Sequence, residues 1–146
     1  TENIRFYSGI YKIKPEDRKQ KEQLLLEKLD MQDARNKLIA DLPLGWKQKL
    51  AFSIAVFHDP KIVFLDEPTG GVDPVTRRKF WDLIYETAHN GITIFVTTHY
   101  MDEAEYCDRV SIMNEGRIVA LDTPENMKKQ YAAKDMDEVF LRIARG

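Results

Sequence analysis

The octapeptide Lys61-Ile62-Val63-Phe64-Leu65-Asp66-Glu67-Pro68 constrains the fold more than any other stretch of this chain. Four consecutive apolar residues run into two adjacent carboxylates, and a proline follows. A short apolar run rich in β-branched and aromatic types predicts a strand buried on both faces of a parallel sheet. Pro68 cannot donate to a ladder, so the strand ends before it. Asp66 and Glu67 then stand at the carboxyl end of a central strand, the edge at which open α/β sheets bind their ligands. Two carboxylates there need a cation or hydrogen-bond donors. Mg²⁺ suits them, because it takes one or two carboxylates and fills its other positions with water and phosphate oxygens.

The flanking sequence supplies helices and a second strand. Ile4, Tyr7 and Tyr11, widened by Phe6 and Ile10, predict a short amphipathic helix over residues 1–13. Lys14-Pro15-Glu16-Asp17 opens a helix running through Leu24, Leu25 and Leu29, whose charged stretch Arg18–Gln23 reads as a solvated face. Met31–Ala40 reads as another short helix. Pro43 and Gly45 break the chain, and the helix after them carries Leu50, Ala51, Ile54, Ala55 and Phe57 on one side. His58, at its end, reads as a partner for the helix dipole. Asp73-Pro74 is an N-cap acceptor with proline at the first helical position, and that helix shows Phe80, Leu83, Ile84, Thr87 and Ala88, with Trp81 covering the rim. Asn90-Gly91 ends it near His89. Ile92–Thr97 is a second buried strand that delivers Thr98 and His99 to the same sheet edge. Then come a short acidic helix (100–107), a hairpin turning at Asn114-Glu115-Gly116, a helix capped by Thr123-Pro124, and a last helix with Val139, Phe140 and Ile143.

The chain therefore divides into a helical part, 1–60, and an α/β part, 61–146. Its net charge of -2 and the lack of a basic stripe argue against a nucleic-acid partner. The single cysteine, Cys107, excludes an internal disulfide, fits a reducing cytoplasm and reads as a packing residue. No apolar run approaches the ~20 residues of a membrane-spanning helix, and no signal peptide is visible.

Three segments together resemble one family. Ile62-Val63-Phe64-Leu65-Asp66-Glu67-Pro68 resembles the Walker B strand of ABC-type ATPases, Gly71-Val72-Asp73-Pro74 their D-loop, and Thr97-Thr98-His99 with Met101-Asp102-Glu103-Ala104-Glu105 their switch-histidine segment. The helices around them agree, and the two ends of the chain are similar to subunits of the drug- and polymer-exporting branch. The resemblance implies a partial P-loop ATPase core of the α/β class, with parallel strands, a C-terminal hairpin and an α-helical subdomain. It implies ATP and Mg²⁺ as ligands. Asp66 would help hold the metal through a water, Glu67 would be the general base, and His99 would hydrogen-bond the γ-phosphate. Asp73 would bridge to a second nucleotide-binding subunit in a head-to-tail dimer. A transmembrane permease subunit would dock on the helical subdomain, roughly Pro15 to Phe57, placing the protein at the cytoplasmic face of a membrane.

Two departures stand out. The family's signature loop, Leu-Ser-Gly-Gly-Gln, is matched by Leu42-Pro43-Leu44-Gly45-Trp46. Pro43 offers neither hydroxyl nor N–H, and Leu44 adds bulk, so a weakened contact with the partner subunit's nucleotide is expected. No Gly-x-x-x-x-Gly-Lys-Ser/Thr phosphate cradle occurs. The chain is therefore expected to be a fragment, barely able to bind ATP alone and prone to self-association through uncovered sheet surface. The leading function is an ATPase subunit powering an exporter. The alternatives are a soluble ABC-type ATPase or a non-catalytic docking module.

Overall fold

Pro15, Pro74 and Pro124 each open a helix, since a residue without an N–H suits the first turn. The computed structural model describes residues 1–145 and divides into two units, one from Thr1 to Thr97 and one beginning at Thr98. The first unit runs α1 (Glu2–Ile10), α2 (Pro15–Lys28), two 3₁₀ turns, α3 (Leu44–Val56), β1 (Ile62–Asp66), α4 (Pro74–His89) and β2 (Thr93–Thr97). It thus holds both the helical part and the parallel strand pair.

The core of the helical part gathers Ile4, Leu26, Leu29, Met31, Ala34, Leu42, Leu50, Ile54 and Phe57. Apart from Ala34, each such side chain, fully buried, contributes roughly 1.5–3 kcal/mol of transfer free energy. Several expectations change here. On α1 the inward pair is Ile4 and Ser8, while Phe6 and Ile10 are exposed. The α1 aromatic residues instead form an outer ring series: Phe6 on Tyr7, Tyr7 on Tyr11, and Tyr11 stacked on His58 at 3.9 Å. His58 therefore packs on a ring, beyond the end of α3.

On α2 the charged stretch is not wholly solvated. Glu22 lies one turn from Leu26 on the inward face and is buried, held by Arg5 Nε at 2.9 Å and Nη2 at 3.4 Å. That pairing raises the Arg5 guanidinium above its ordinary pKa, chiefly through the hydrogen bond to Glu22. Leu24 points outward. Met31–Ala40 forms two 3₁₀ turns, Gln32–Ala34 and Ile39–Asp41, in place of an α-helix. Three residues per turn set Met31 and Ala34 on one side, and both are buried.

β1 and β2 are parallel neighbours in register Ile62↔Thr93 through Asp66↔Thr97. β1 was expected to be buried on both faces. Val63 is 6% exposed, but Phe64 is 76% exposed and Phe95, beside it, 54%. Their rings stack at 5.1 Å. The sheet has two strands, and α3 and α4 lie against one side of it, so alternate residues face outward. The α4 helix buries Phe80, Trp81, Ile84 and Thr87. Trp81, expected at the rim, is 2% exposed, because α4 turns it inward beside Phe80.

The second unit runs α5 (Met101–Ala104), β3 (Val110–Asn114), β4 (Arg117–Asp122), α6 (Pro124–Gln130) and α7 (Met136–Arg145). β3 and β4 form the expected antiparallel hairpin. Its two turn residues, Glu115 and Gly116, both have positive φ, the geometry that matches strand twist. Thr123 Oγ1 caps α6 by accepting from the Asn126 N–H, and Asp135 accepts from the Glu138 N–H at the start of α7. Ala104, Ile112, Met127, Met136 and Val139 make this unit's core. Glu105 ties its helices together, accepting from Lys128 Nζ and from the Met136 N–H. Burial pushes the Cys107 thiol up to about 11, so it stays a protonated packing group at neutral pH.

Candidate functional site

The carboxyl end of β1 is held by its neighbour. Asp66 stands opposite Thr97 in the parallel register. The Thr97 hydroxyl donates to Asp66 Oδ1 at 2.5 Å and accepts from the Glu67 N–H at 3.2 Å. The same N–H donates to the Thr97 carbonyl at 3.0 Å. Glu67 leaves the strand with φ +44°, in the left-handed region that costs a non-glycine residue roughly 1–2 kcal/mol. The Gly70 N–H closes the following turn on the Glu67 carbonyl at 3.1 Å, over buried Thr69. Gln48 Nε2, from α3, donates to the Gly70 carbonyl at 3.0 Å. Asp66 and Glu67 are both exposed.

The donors here are hard oxygens, which suit a hard cation. Among the described residues, no three His, Cys, Asp or Glu side chains gather closely enough to cage a metal. A cation at Asp66 would therefore take most of its ligands from water and phosphate, the coordination Mg²⁺ prefers.

The turn at Leu42-Pro43-Leu44-Gly45-Trp46 is the start of α3. Leu42 is buried in the helical core, Pro43 stands at the N-cap without a side-chain cap, and Leu44 and Trp46 are exposed. Gly45 is buried against α4: a Cβ there would overlap Thr76 Cγ2. Thr76 is not free to turn aside. Its Oγ1 donates to Asp73 Oδ2 and its N–H donates to Asp73 Oδ1, the N-cap bonds of α4. Gly71, at φ +75°, meets Leu44 Cδ2, which an added Cβ would approach to 3.2 Å. The structure thus brings the α3 start and the Gly71–Asp73 segment together. The Thr76 hydroxyl, and then its N–H, hold the Asp73 carboxyl below the usual aspartate range. A lowered acid stabilises the fold above its unfolded pKa, and this contribution is lost as pH falls through the lowered value.

This geometry decides the sign of one substitution. Alanine at an exposed helical glycine gains about 0.5–1 kcal/mol. Gly45→Ala is expected instead to destabilise by about 1–3 kcal/mol, because it overpacks a held neighbour. Thr76→Ser, which keeps the hydroxyl and removes the methyl, should recover most of that loss. Urea denaturation of the two single variants and the double variant measures both.

His99 lies in the second unit, two residues past the end of β2, with its ring 4.2 Å from that of Tyr100. The preceding Thr98 hydroxyl donates to Glu103 Oε2 at 2.6 Å and accepts from the Tyr100 N–H at 3.0 Å. Glu103 is fully buried. Thr97, Thr76 and Glu103 carry interactions to which sequence reasoning assigned no role. The parallel register would have found Thr97, since it sets that residue opposite Asp66.

Comparisons with known proteins cover from about two thirds to nearly all of the chain. Residues 2–101 match the family model described as "AAA domain, putative AbiEii toxin, Type IV TA system". The chain is 40% identical to "Probable multidrug ABC transporter ATP-binding protein YbhF" of Escherichia coli, over 97% of this chain and 25% of that protein. It is 41% identical to "Fluoroquinolones export ATP-binding protein MT2762" of Mycobacterium tuberculosis, over 87% of this chain and 41% of that protein. It spans, then, well under half the length of these relatives. A solved structure described as "Structure of ATP binding subunit of ABC transporter" superposes with a TM-score of 0.83 at 25% identity, covering 98% of this chain and 61% of the other. That of cbiO1 from Clostridium perfringens, part of the ABC transporter complex cbiONQ, does so at 0.72 with 31% identity, covering 95% and 56%.

Proposed function

Because the chain belongs to this AAA-domain family and, by its relatives, to the ATP-binding proteins of ABC transporters, we propose that it is part of an ATP-hydrolysing subunit that powers a membrane exporter. The observation that carries this reading is the pair Asp66 and Glu67, exposed at the carboxyl end of β1 and fixed there by Thr97. Phosphoryl transfer asks little covalent chemistry of a protein; it needs a positioned water, a metal and donors around the γ-phosphate.

Asp66 has one oxygen engaged by Thr97; the other would serve a metal-bound water. Mg²⁺, when bound, would neutralise charge on the β- and γ-phosphate oxygens. Glu67 orients the attacking water and accepts its proton. For His99, in the second unit, the resemblance implies the role of a hydrogen-bond donor to the γ-phosphate. The start of α3 would face the nucleotide of a second subunit, where backbone N–H groups and the helix dipole favour an anion, with Gly45 itself buried against α4. Leu44 and Trp46 are exposed there, and Pro43 contributes no hydroxyl, so this contact is weaker than a serine would give. Asp73 caps α4 and, having about four lone-pair sites, keeps acceptors for that second subunit. The helical subdomain, roughly Pro15 to Phe57, would receive a transmembrane permease at the cytoplasmic face of the membrane. Among the described residues no helix is long and apolar enough to cross a membrane.

Affinity purification of the full-length protein from detergent-solubilised membranes tests this reading. A polytopic membrane protein is expected to co-purify, with Mg²⁺-dependent ATP turnover in the complex. Turnover with the protein free of any membrane partner would favour a soluble ATPase, and absence of turnover would overturn the enzyme reading.

A further inference from the structure

We propose that Thr97 is a positioning residue for both acids at the end of β1. The inference rests on the ATPase reading above and deepens it, giving the Thr97 hydroxyl a part in metal binding and turnover. A hydroxyl has one proton to give and two lone pairs. In Thr97 the proton goes to Asp66 Oδ1, and a lone pair receives the Glu67 N–H. One side chain therefore grips two consecutive residues, the carboxylate of the first and the backbone of the second.

Each bond has a consequence. The bond to Asp66 holds its rotamer through Oδ1 and leaves Oδ2 with no bond to Thr97. The bond to Glu67 falls where the chain enters the left-handed region, at φ +44°. With the Thr97 carbonyl it anchors the N–H about which that turn swings, and so fixes the direction in which the Glu67 side chain leaves the strand. Thr97 is itself exposed and belongs to neither core cluster. Its hydroxyl is not needed to fill the interior, and valine, of nearly the same shape, is an excellent strand former. A purely structural threonine replaced by valine would lose only the modest stability of its hydrogen bonds, about 1 kcal/mol each, and would leave metal binding and turnover unmoved.

The test uses the full-length protein with Thr97→Val and Thr97→Ser. Partners that orient a metal-binding group typically contribute 10–100-fold in metal affinity or activity. Thr97→Val is expected to weaken Mn²⁺ binding in the presence of a non-hydrolysable ATP analogue by about 10-fold or more, read by electron paramagnetic resonance. It should lower kcat by about 10–100-fold with KM for ATP within a few-fold. Thr97→Ser, which restores the hydroxyl, should return both toward wild type, and the melting temperatures of all three should agree within a few degrees. Thr97→Ala serves the same comparison should valine unfold the protein. Wild-type Mn²⁺ affinity and kcat in Thr97→Val, or equal damage in the serine variant, would overturn the inference. Glu67→Gln separates the two failures. If it silences a working wild-type ATPase while Thr97→Val is unaffected, only the role of Thr97 falls. If the wild-type protein hydrolyses no ATP, the reading of the site falls and the role of Thr97 with it.

Discussion

Glu67→Gln in the full-length protein is expected to cut ATP turnover by about 10²–10⁴-fold, the usual contribution of a general base, while nucleotide binding stays within a few-fold of wild type. Glutamine keeps the length and shape of the side chain, the left-handed backbone at this position and the N–H bonds to Thr97. What it removes is the capacity to accept a proton. A loss in kcat without a loss in binding therefore isolates the chemical step. Steady-state turnover and titration with a fluorescent ATP analogue measure the two quantities. Unchanged turnover would contradict the base assignment. Loss of binding together with turnover would point to a role for the Glu67 charge in holding the nucleotide.

Phe80→Ala is expected to destabilise the protein by about 3–5 kcal/mol, the range for deleting a buried aromatic ring. Domains have only about 5–15 kcal/mol in hand, so this single change removes a large share of the margin. Phe80 is 2% exposed and meets Phe52, equally buried, at a centroid distance of 5.5 Å and a tilt of 59°. That contact joins α3 to α4. The same pair of helices brings Gly45 against Thr76, and Thr76 in turn holds Asp73. The aromatic pair thus supports the alignment of the α3 start with the segment after β1 as well as the core. Phe80→Leu, which leaves a smaller void, should cost clearly less. Urea denaturation with constant m-value measures both. A cost for Phe80→Ala below about 1 kcal/mol would mean that the helices are held together elsewhere.

Much of this architecture is legible in the sequence, for identifiable reasons. Proline at the first helical position marks the starts of α2, α4 and α6, and Asp73 and Thr123 supply the cap acceptors that the sequence suggests. Glu115-Gly116 fixes the hairpin because both residues must take positive φ. Asp66 and Glu67 stand at the end of β1 because Pro68 ends the strand. What the sequence hides is the surroundings of each residue. An apolar run does not say how many layers cover it, so Phe64 and Phe95 were expected inside and lie exposed. A charge run does not say which of its members faces the core, so the buried Glu22 and its fork from Arg5 were missed. Helical spacing over Met31–Ala40 did not separate an α-helix from two 3₁₀ turns, which bury Met31 and Ala34 at a spacing of three. Thr97 looks like any strand threonine until the register sets it against Asp66.

The measurement that bears most directly on the account is a structure of the full-length Glu67→Gln protein with ATP and Mg²⁺ bound. The account predicts the γ-phosphate and metal at the carboxyl end of β1. Asp66 would be hydrogen-bonded to the metal's water shell, with its other oxygen still on Thr97, and the residue 67 side chain would face the water in line with the γ-phosphate. Nucleotide bound away from that strand end, or Asp66 and residue 67 turned from it, would contradict the account.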